Sequence, residues 1–480
     1  MHKSLIITGA LILAGCAAGP DYQPPELSAL TRFAEDPGVA AIDPAVEQRF
    51  WRGFDDPLLD SLISQTLAHN QDLQAGLARY QQAQALLRGA RLEQLPSARL
   101  NASAGEQYLA ELERPVNGRE RVERYQAGLA LSWELDLFGR LSRLTQAQAA
   151  ALEASEADLG ALQVALIGQL TTSYFELRGL QLRHQVAQQN VELQRASLDL
   201  VSTWLEAGRG TLLDQVRAEA QLQARQALLP ELEASIQVSL HRISVLTGQP
   251  PGNWPPALLA SQPLPTMPML ISPGTPGELL RRRPDIRAAE RRLASSNALI
   301  GVASADLFPR FSLDALLGSV AGSGADLFSA GSSSRSLMLG VDWSFLDRGR
   351  VNARVDAAQA SSAEALAAYR QTLLLALEET ETWLVRYHRG LDTDARLQQA
   401  VAAADIAVAQ AQDRYRQGYI NYFEVLTAEQ ELSDLRDRLE QSRTTTALAM
   451  VSLYRSLAGA PGPEAELLAA RTNARLSGLK

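Results

Sequence analysis

Most of the chain spaces its apolar residues three and four positions apart, and four short stretches place them on alternate positions. The first spacing is that of one helix face and the second that of one strand face. Leu58, Leu62, Ile63, Leu67, Leu73 and Leu77 predict a helix over about 57–95, stopped by Pro96. Leu152, Leu159, Leu162, Leu166, Leu170, Tyr174, Leu177 and Leu180 lie in a proline-free stretch over about 141–207. Their steps of three, four and seven predict a coiled-coil-like seam. A helix of that length spans roughly 100 Å. An equivalent helix is predicted over about 352–417. Gly208 and Gly418 follow these helices and offer the left-handed turn that closes each helical hairpin.

The alternating stretches predict strands. Tyr125, Ala127, Leu129, Leu131, Trp133 and Leu135 oppose Gln126, Gly128, Ala130, Ser132, Glu134 and Asp136. Further on, Leu337, Leu339, Val341, Trp343 and Phe345 alternate with Ser336, Met338, Gly340, Asp342 and Ser344. A partner strand precedes each, with Ala98, Leu100, Ala102 and Ala104 in one and Phe311, Leu313, Ala315 and Leu317 in the other. Tilted strands of about 9–11 residues cross a bilayer, lipid on the apolar side and water on the polar side. Trp133 and Trp343 fall near strand ends, where membrane-interface aromatics sit. A soluble sheet with one wet face would show the same alternation. Four strands do not close a barrel, so chains must associate to remove the open edges. Three copies would supply 12 strands and, by the same count, 12 long helices.

The pattern occurs twice. Trp133 and Gly139 in WELDLFGR return 210 positions later as Trp343 and Gly349 in WSFLDRGR. Gly208 and Ala218-Glu219 return at the same offset as Gly418 and Ala428-Glu429. Such an ordered series is the mark of a tandem duplication. The first repeat is placed at 57–248, with a β-hairpin at 97–136 and a helical hairpin at 141–247. The second is placed at 277–460, with a β-hairpin at 310–346 and a helical hairpin at 350–458. Nine prolines between 249 and 276 exclude a helix or central strand and mark a linker packed along the outside. Residues 461–480 form a C-terminal tail.

The N-terminus changes the compartment. A charged start, an apolar run from Leu5 to Leu13 and the small residues Ala14-Gly15 before Cys16 form an export signal over 1–15. Leu13-Ala14-Gly15-Cys16 resembles the bacterial lipobox. That resemblance implies cleavage before Cys16 and its lipidation, palmitate included, which makes 16–56 a lipidated N-terminal segment. Ala17, in place of Asp, favours outer-membrane delivery. Several acyl chains give durable anchoring where one alone binds weakly. After Cys16 no apolar run approaches the ~20 residues of a membrane helix, so a membrane-spanning form must be a closed β-barrel. The net charge of −9 argues against a nucleic-acid partner. Five histidines without ligand spacing and one cysteine leave no metal centre and no cofactor site, and no catalytic constellation is present. The run Arg281-Arg282-Arg283 reads as a solvated or ion-paired helix start.

Leu279-Leu280-Arg281-Arg282-Arg283-Pro284-Asp285-Ile286-Arg287-Ala288-Ala289-Glu290 resembles the linker-to-second-repeat hallmark of the outer-membrane factors of efflux pumps. The likeness is to the TolC/OprM type and its lipoprotein, NodT-like branch. Gly19-Pro20-Asp21-Tyr22, Trp51-Arg52-Gly53-Phe54 and Trp133-Glu134-Leu135-Asp136-Leu137-Phe138-Gly139 carry it too. The resemblance implies a mixed α and transmembrane β fold. A trimeric 12-stranded outer-membrane β-barrel is continued by a long periplasmic α-helical barrel, built from the tandem repeat. It implies a homotrimer in outer-membrane lipid that works with a periplasmic adaptor (membrane fusion) protein and an inner-membrane efflux pump. The pump is commonly of the resistance-nodulation-division type, exporting drugs or other small solutes; the alternative is the outer-membrane conduit of type I protein secretion. It also implies a periplasmic gate where the hairpins turn. Asp214 and Glu424 stand six residues after Gly208 and Gly418, at acidic positions of the family, and Tyr415 matches a family tyrosine of the closing contacts. In a trimer the carboxylates would form a ring that favours cations. Read without the resemblance, Asp214 and Glu424 are acids near helix starts, where they suit the dipole. Thr427 and Ile420 depart from the second acid and the arginine of some members.

Overall fold

The computed structural model describes residues 17–25, 33, 50–113, 120–265 and 276–457. Cys16, the export signal and the tail at 461–480 lie outside the described residues. The chain divides into two compact units. One comprises Met1–Glu26, Arg79–Glu156 and Ala288–Arg370; the other comprises Leu27–Ala78, Ala157–Arg287 and Gln371–Lys480.

The first unit holds a four-stranded antiparallel sheet of β1 (Ser97–Tyr108), β2 (Arg121–Leu135), β3 (Arg310–Ala321) and β4 (Ser333–Asp342), in that order. The register aligns the apolar rows predicted for all four strands. Ala98 lies beside Leu131, Leu131 beside Ala315 and Ala315 beside Leu337. Trp133, Leu313 and Leu339 form another row. Polar rows alternate with these, such as Glu134, Ser312 and Gly340. The edge strands β1 and β4 pair on one side only. Leu100, Leu337, Leu339 and Val341 are exposed on the apolar face. The last strand stops at Asp342, earlier than its alternation suggested. Trp343 lies just beyond it, and a short 3₁₀ turn over Phe345–Asp347 starts the next helix.

Below the strands, the repeats show matching bonds. The Trp133 Nε1 donates to the Gln94 carbonyl at 3.0 Å, and the Trp343 Nε1 donates to the Leu307 carbonyl at 3.1 Å. Each carbonyl lies two residues before the proline that precedes a strand, Pro96 and Pro309. The motif around Trp133 is thereby explained. Glu134 accepts from Nε and Nη2 of Arg140 at 2.8 and 2.7 Å. The Asp136 carboxylate caps the following helix by accepting from the Leu141 and Ser142 N–H groups at 2.9 and 2.7 Å. Phe138 stacks on Phe308 at 4.7 Å. The segment after Cys16 is fixed here as well: Arg143 donates to Asp21 at 2.8 Å, and the Tyr22 hydroxyl donates to Glu290. Ala147 and Ala150 in the long helix after the second strand are buried, whereas Ala357 and Ala360, near the corresponding place of the second repeat, are exposed.

The helices are α1 (Pro57–His69), α2 (Gln71–Glu93), α3 (Arg140–Glu206), α4 (Leu212–Gln226), α5 (Leu228–Leu246), α6 (Pro276–Arg282), α7 (Pro284–Ala305), α8 (Arg348–Arg416) and α9 (Tyr422–Leu457). The two long predicted helices are unbroken at 67 and 69 residues. The predicted helix over 57–95 is two, interrupted at Asn70, whose side chain accepts from Leu73 N–H at 3.1 Å and donates to the Leu246 carbonyl at 3.0 Å. The same break recurs 213 positions on at Arg283, since the residue before a proline is biased to extended backbone. The return arm of the first hairpin is also two helices, meeting at Ala227. Pro230 has no N–H to give to the Gln226 carbonyl, and the ladder parts there.

In the second unit the described part of the proline-rich linker packs on α3. Arg178, only 2% exposed, donates to the Ala260 carbonyl at 2.6 Å, and Gln181 donates to that of Leu258 at 2.6 Å. The Tyr174 hydroxyl, one turn away, donates to Asp56 at 2.5 Å. Arg283 is held by Asp285 at 2.8 Å and by Glu379 at 2.9 Å, and Glu379 also takes Arg455 at 2.7 Å. The third arginine of the hallmark is thus an ion-paired joint between helices.

Candidate functional site: the helical hairpin tips

All the residues expected at the gate lie in the second unit, at the turns of the two helical hairpins. The turns are built alike. Gly208 has φ +68° and Gly418 has φ +78°. The Gly208 N–H bonds the Leu205 carbonyl and the Arg209 N–H bonds that of Trp204, at 3.0 and 2.8 Å. In the second turn Gly418 N–H bonds Tyr415 and Tyr419 N–H bonds Arg414, at 2.8 and 2.9 Å. Each is a Schellman closure, which needs a left-handed residue at that place.

The helices leaving the turns are capped, and the caps involve the expected carboxylates. Thr211 Oγ1 accepts from Asp214 N–H at 3.2 Å and donates to the Asp214 carboxylate at 2.6 Å. Asn421 Oδ1 accepts from Glu424 N–H at 3.3 Å. Both acids therefore occupy the third position of a helix, where the exposed N–H groups favour a negative charge. Glu424 is exposed and Asp214 is half-buried. A capping role is visible for Asp214 in the single chain; a ring of carboxylates needs other copies.

Tyr415 is buried in the core of the tip. That core joins Val201 of α3 and Ala218 of α4 to Tyr415, Tyr422, Val425 and Leu426 of the second hairpin. The ring of Tyr415 stacks on Trp204 at 4.4 Å and meets Tyr422 at 5.7 Å. Burial raises the pKa of its hydroxyl, and the charge of Asp214 adds to the shift. Ile420, where some relatives were expected to carry arginine, packs against this core, and the Thr427 hydroxyl donates back to the Phe423 carbonyl at 2.8 Å. Ile420 thus serves local packing, whereas Thr427 is exposed and bonds back to its own helix. Arg209 lies over Trp204 at 5.1 Å and Arg217 over Phe423 at 5.5 Å. Leu212, Leu213, Val216 and Tyr419 remain exposed around the turns.

Farther from the turns the hairpins are joined by polar contacts that sequence reasoning missed. Arg183 pairs with Asp437 at 2.8 Å, Arg225 with Asp434 at 3.0 Å, and Asn190 donates to Ser433 at 2.7 Å. Glu429 accepts from Ser197 at 2.9 Å and from Gln412 at 2.8 Å. Only Glu429 carried a signal in the sequence, as a landmark of the duplication. The described residues contain no group of acids, histidines and cysteines able to hold a metal ion, and no helix among them is long and apolar enough to cross a membrane.

The sequence profile described as Outer membrane efflux protein matches two segments of the chain, residues 62–249 and 275–459. Nodulation protein T of Rhizobium leguminosarum bv. trifolii is 32% identical over 441 residues, covering 88% of this chain and 90% of the relative. The toluene efflux pump outer membrane protein TtgI of Pseudomonas putida is 30% identical over 477 residues, covering 95% and 98%. Among solved structures, the outer-membrane channel OprN superposes with a TM-score of 0.87 at 39% identity, over 93% of this chain and all of that one. A duplicated strand-and-hairpin unit with an alternating sheet, matched along both repeats, establishes that this chain belongs to the outer membrane efflux protein family.

Proposed function

We propose that three copies of this chain, each anchored through a lipidated Cys16, close a 12-stranded barrel in the outer membrane. The barrel continues as a helical tunnel into the periplasm. The trimer is the exit duct of a tripartite efflux system, with a periplasmic adaptor and an inner-membrane pump of the resistance-nodulation-division type. Its cargo is small solutes, in keeping with relatives named for toluene efflux and pyoverdine export. The observation that carries the proposal is the sheet: four strands with aligned apolar rows, an exposed apolar face and two open edges. Such edges in a membrane must be closed, because no water is there to satisfy the backbone. Trp133 and Trp343 mark the level where strands give way to helices and so sit at the membrane interface.

The duct is closed at rest by the hairpin tips, with Asp214 and Glu424 of each copy turned toward the axis and Tyr415 holding the packing beneath them. The proposal is tested by electrophoresis without heating and by single-channel recording in planar bilayers. A heat-dissociable trimer with stepwise conductance is expected; a monomer that never conducts overturns it.

A further inference from the structure

We propose that Glu429 is a proton-binding site that ties the two helical hairpins of one chain together, so that tip packing is tightest when this carboxyl is neutral. The residue lies on α9, where α3, α4 and α8 converge on it within the second unit. Its oxygens accept from Ser197 of α3 and Gln412 of α8. It also lines a cavity of about 50 Å³ with Asn190, Gln194, Gln221, Arg225 and Gln412. That volume admits water. Two polar atoms next to this junction are buried with no partner at hydrogen-bond geometry, Gln194 Nε2 and Tyr422 Oη, on residues 7% and 2% exposed. The duplication supplies an internal comparison. Glu219 occupies the same place in the first repeat and is exposed, whereas Glu429 is half-buried.

Burial raises the pKa of Glu429, while the Ser197 and Gln412 donors partly oppose the shift. Facing it are Gln194 and Ser197 from α3, Gln221 and Arg225 from α4, Gln412 from α8, and Tyr422 and Ser433 on its own helix. Arg225 is engaged by Asp434 at 3.0 Å, and burial, with the charge of Glu429 adding to it, pushes the Tyr422 hydroxyl up to about 12. The sign follows. A carboxyl whose affinity for protons is raised by packing favours the packed state below its titration and opposes it above. As pH rises through that point, the proton leaves through the cavity water, the carboxylate draws in solvent, and α3, α8 and α9 loosen.

The duct reading supplies the consequence, easier opening at higher pH, but the site can be tested without it. Hydrogen exchange of the full-length protein in detergent is followed at residues 190–200 and 408–416 across pH, after correction for intrinsic exchange. In the wild type, local opening should increase as pH rises from the ordinary glutamate value of about 4.3 through the higher midpoint of the packed carboxyl, by about tenfold for each unit of raised affinity, and level off above it. Glu429→Gln should abolish this rise and Glu219→Gln should leave it unchanged. Ser197→Ala removes a donor that favours the ionised form and should move the midpoint upward. An unaltered pH response in Glu429→Gln, or an unmoved or lowered midpoint in Ser197→Ala, overturns the proposal. If Glu429→Gln fails to fold, Ser197→Ala and Gln412→Leu, both with midpoints expected to rise, decide it. A protein that exchanges as expected but does not conduct refutes the duct and leaves this site standing; one that conducts with flat exchange does the reverse.

Discussion

Arg178 illustrates how much one buried side chain organises. Its guanidinium holds the carbonyls of the proline-rich linker and lies 5.0 Å from the Tyr174 ring. Arg178→Ala would leave those carbonyls and the Gln181 amide oxygen without a donor, costing about 2–4 kcal/mol. The expected outcome is faster proteolysis within residues 249–265 and a lowered melting temperature. The turn glycines give a cleaner case. A Cβ at Gly208 or Gly418 would meet nothing within 4 Å, so substitution there strains only the backbone. Gly418→Ala should cost about 1 kcal/mol, and Gly418→Asn less, because asparagine tolerates the left-handed region. Hydrogen exchange at Tyr415–Tyr419 would register the difference. These glycines were legible from their place after a long periodic helix. Arg178 was not, because an arginine inside an apolar run has no sequence mark of what it will meet across a fold. The roles of Asp214 and Glu424 were legible only in part. Their helix-start position is plain in the sequence, whereas their relation to other copies depends on symmetry that one chain does not contain.

Among elements, the strands were the most readable. Period-two alternation gave both the strands and the face each would present, and the register places all the apolar rows together. The end of β4 was misjudged because the alternation runs on through Trp343 and Phe345 after the ladder has stopped. Helix interruptions were overlooked for a related reason. Apolar spacing carries across Asn70 and Ala227, while the break is made by a side-chain cap in one place and a missing N–H in the other. Close backbone approach also escapes the pattern. A Cβ at Gly318 would stand 2.6 Å from the Ala127 carbonyl oxygen and 2.8 Å from the Gly128 Cα. Gly318→Val should therefore disrupt pairing of β2 with β3 and sharply reduce the proposed heat-dissociable trimer, whereas Gly331→Ala, in open space, should leave it unchanged. Equal amounts of trimer in the two variants would contradict this account of the sheet.

At the scale of the molecule, the duplication was the most informative feature of the sequence, since it fixed the order of elements and paired the two turns. Its copies have since diverged in ways that only the structure displays, including a half-buried Glu429 against an exposed Glu219. If the tips of three copies meet around an axis, their six carboxylates should set the ionic preference of the closed duct. Glu424→Ala should lower cation preference in bilayer recordings, and the double change with Asp214→Ala should lower it further, with the trimer intact. A reversal potential unmoved by either change would remove these residues from the axis.

The parting of the ladder at Ala227 has a mechanical meaning. One return arm is a jointed limb and the other, α9, is a single strut of 36 residues. Bending a continuous hydrogen-bonded rod strains every turn, whereas a joint concentrates the deflection where no bond must be broken. A push or twist delivered to the turns will therefore be absorbed unequally, the first-repeat arm flexing while its twin carries the load.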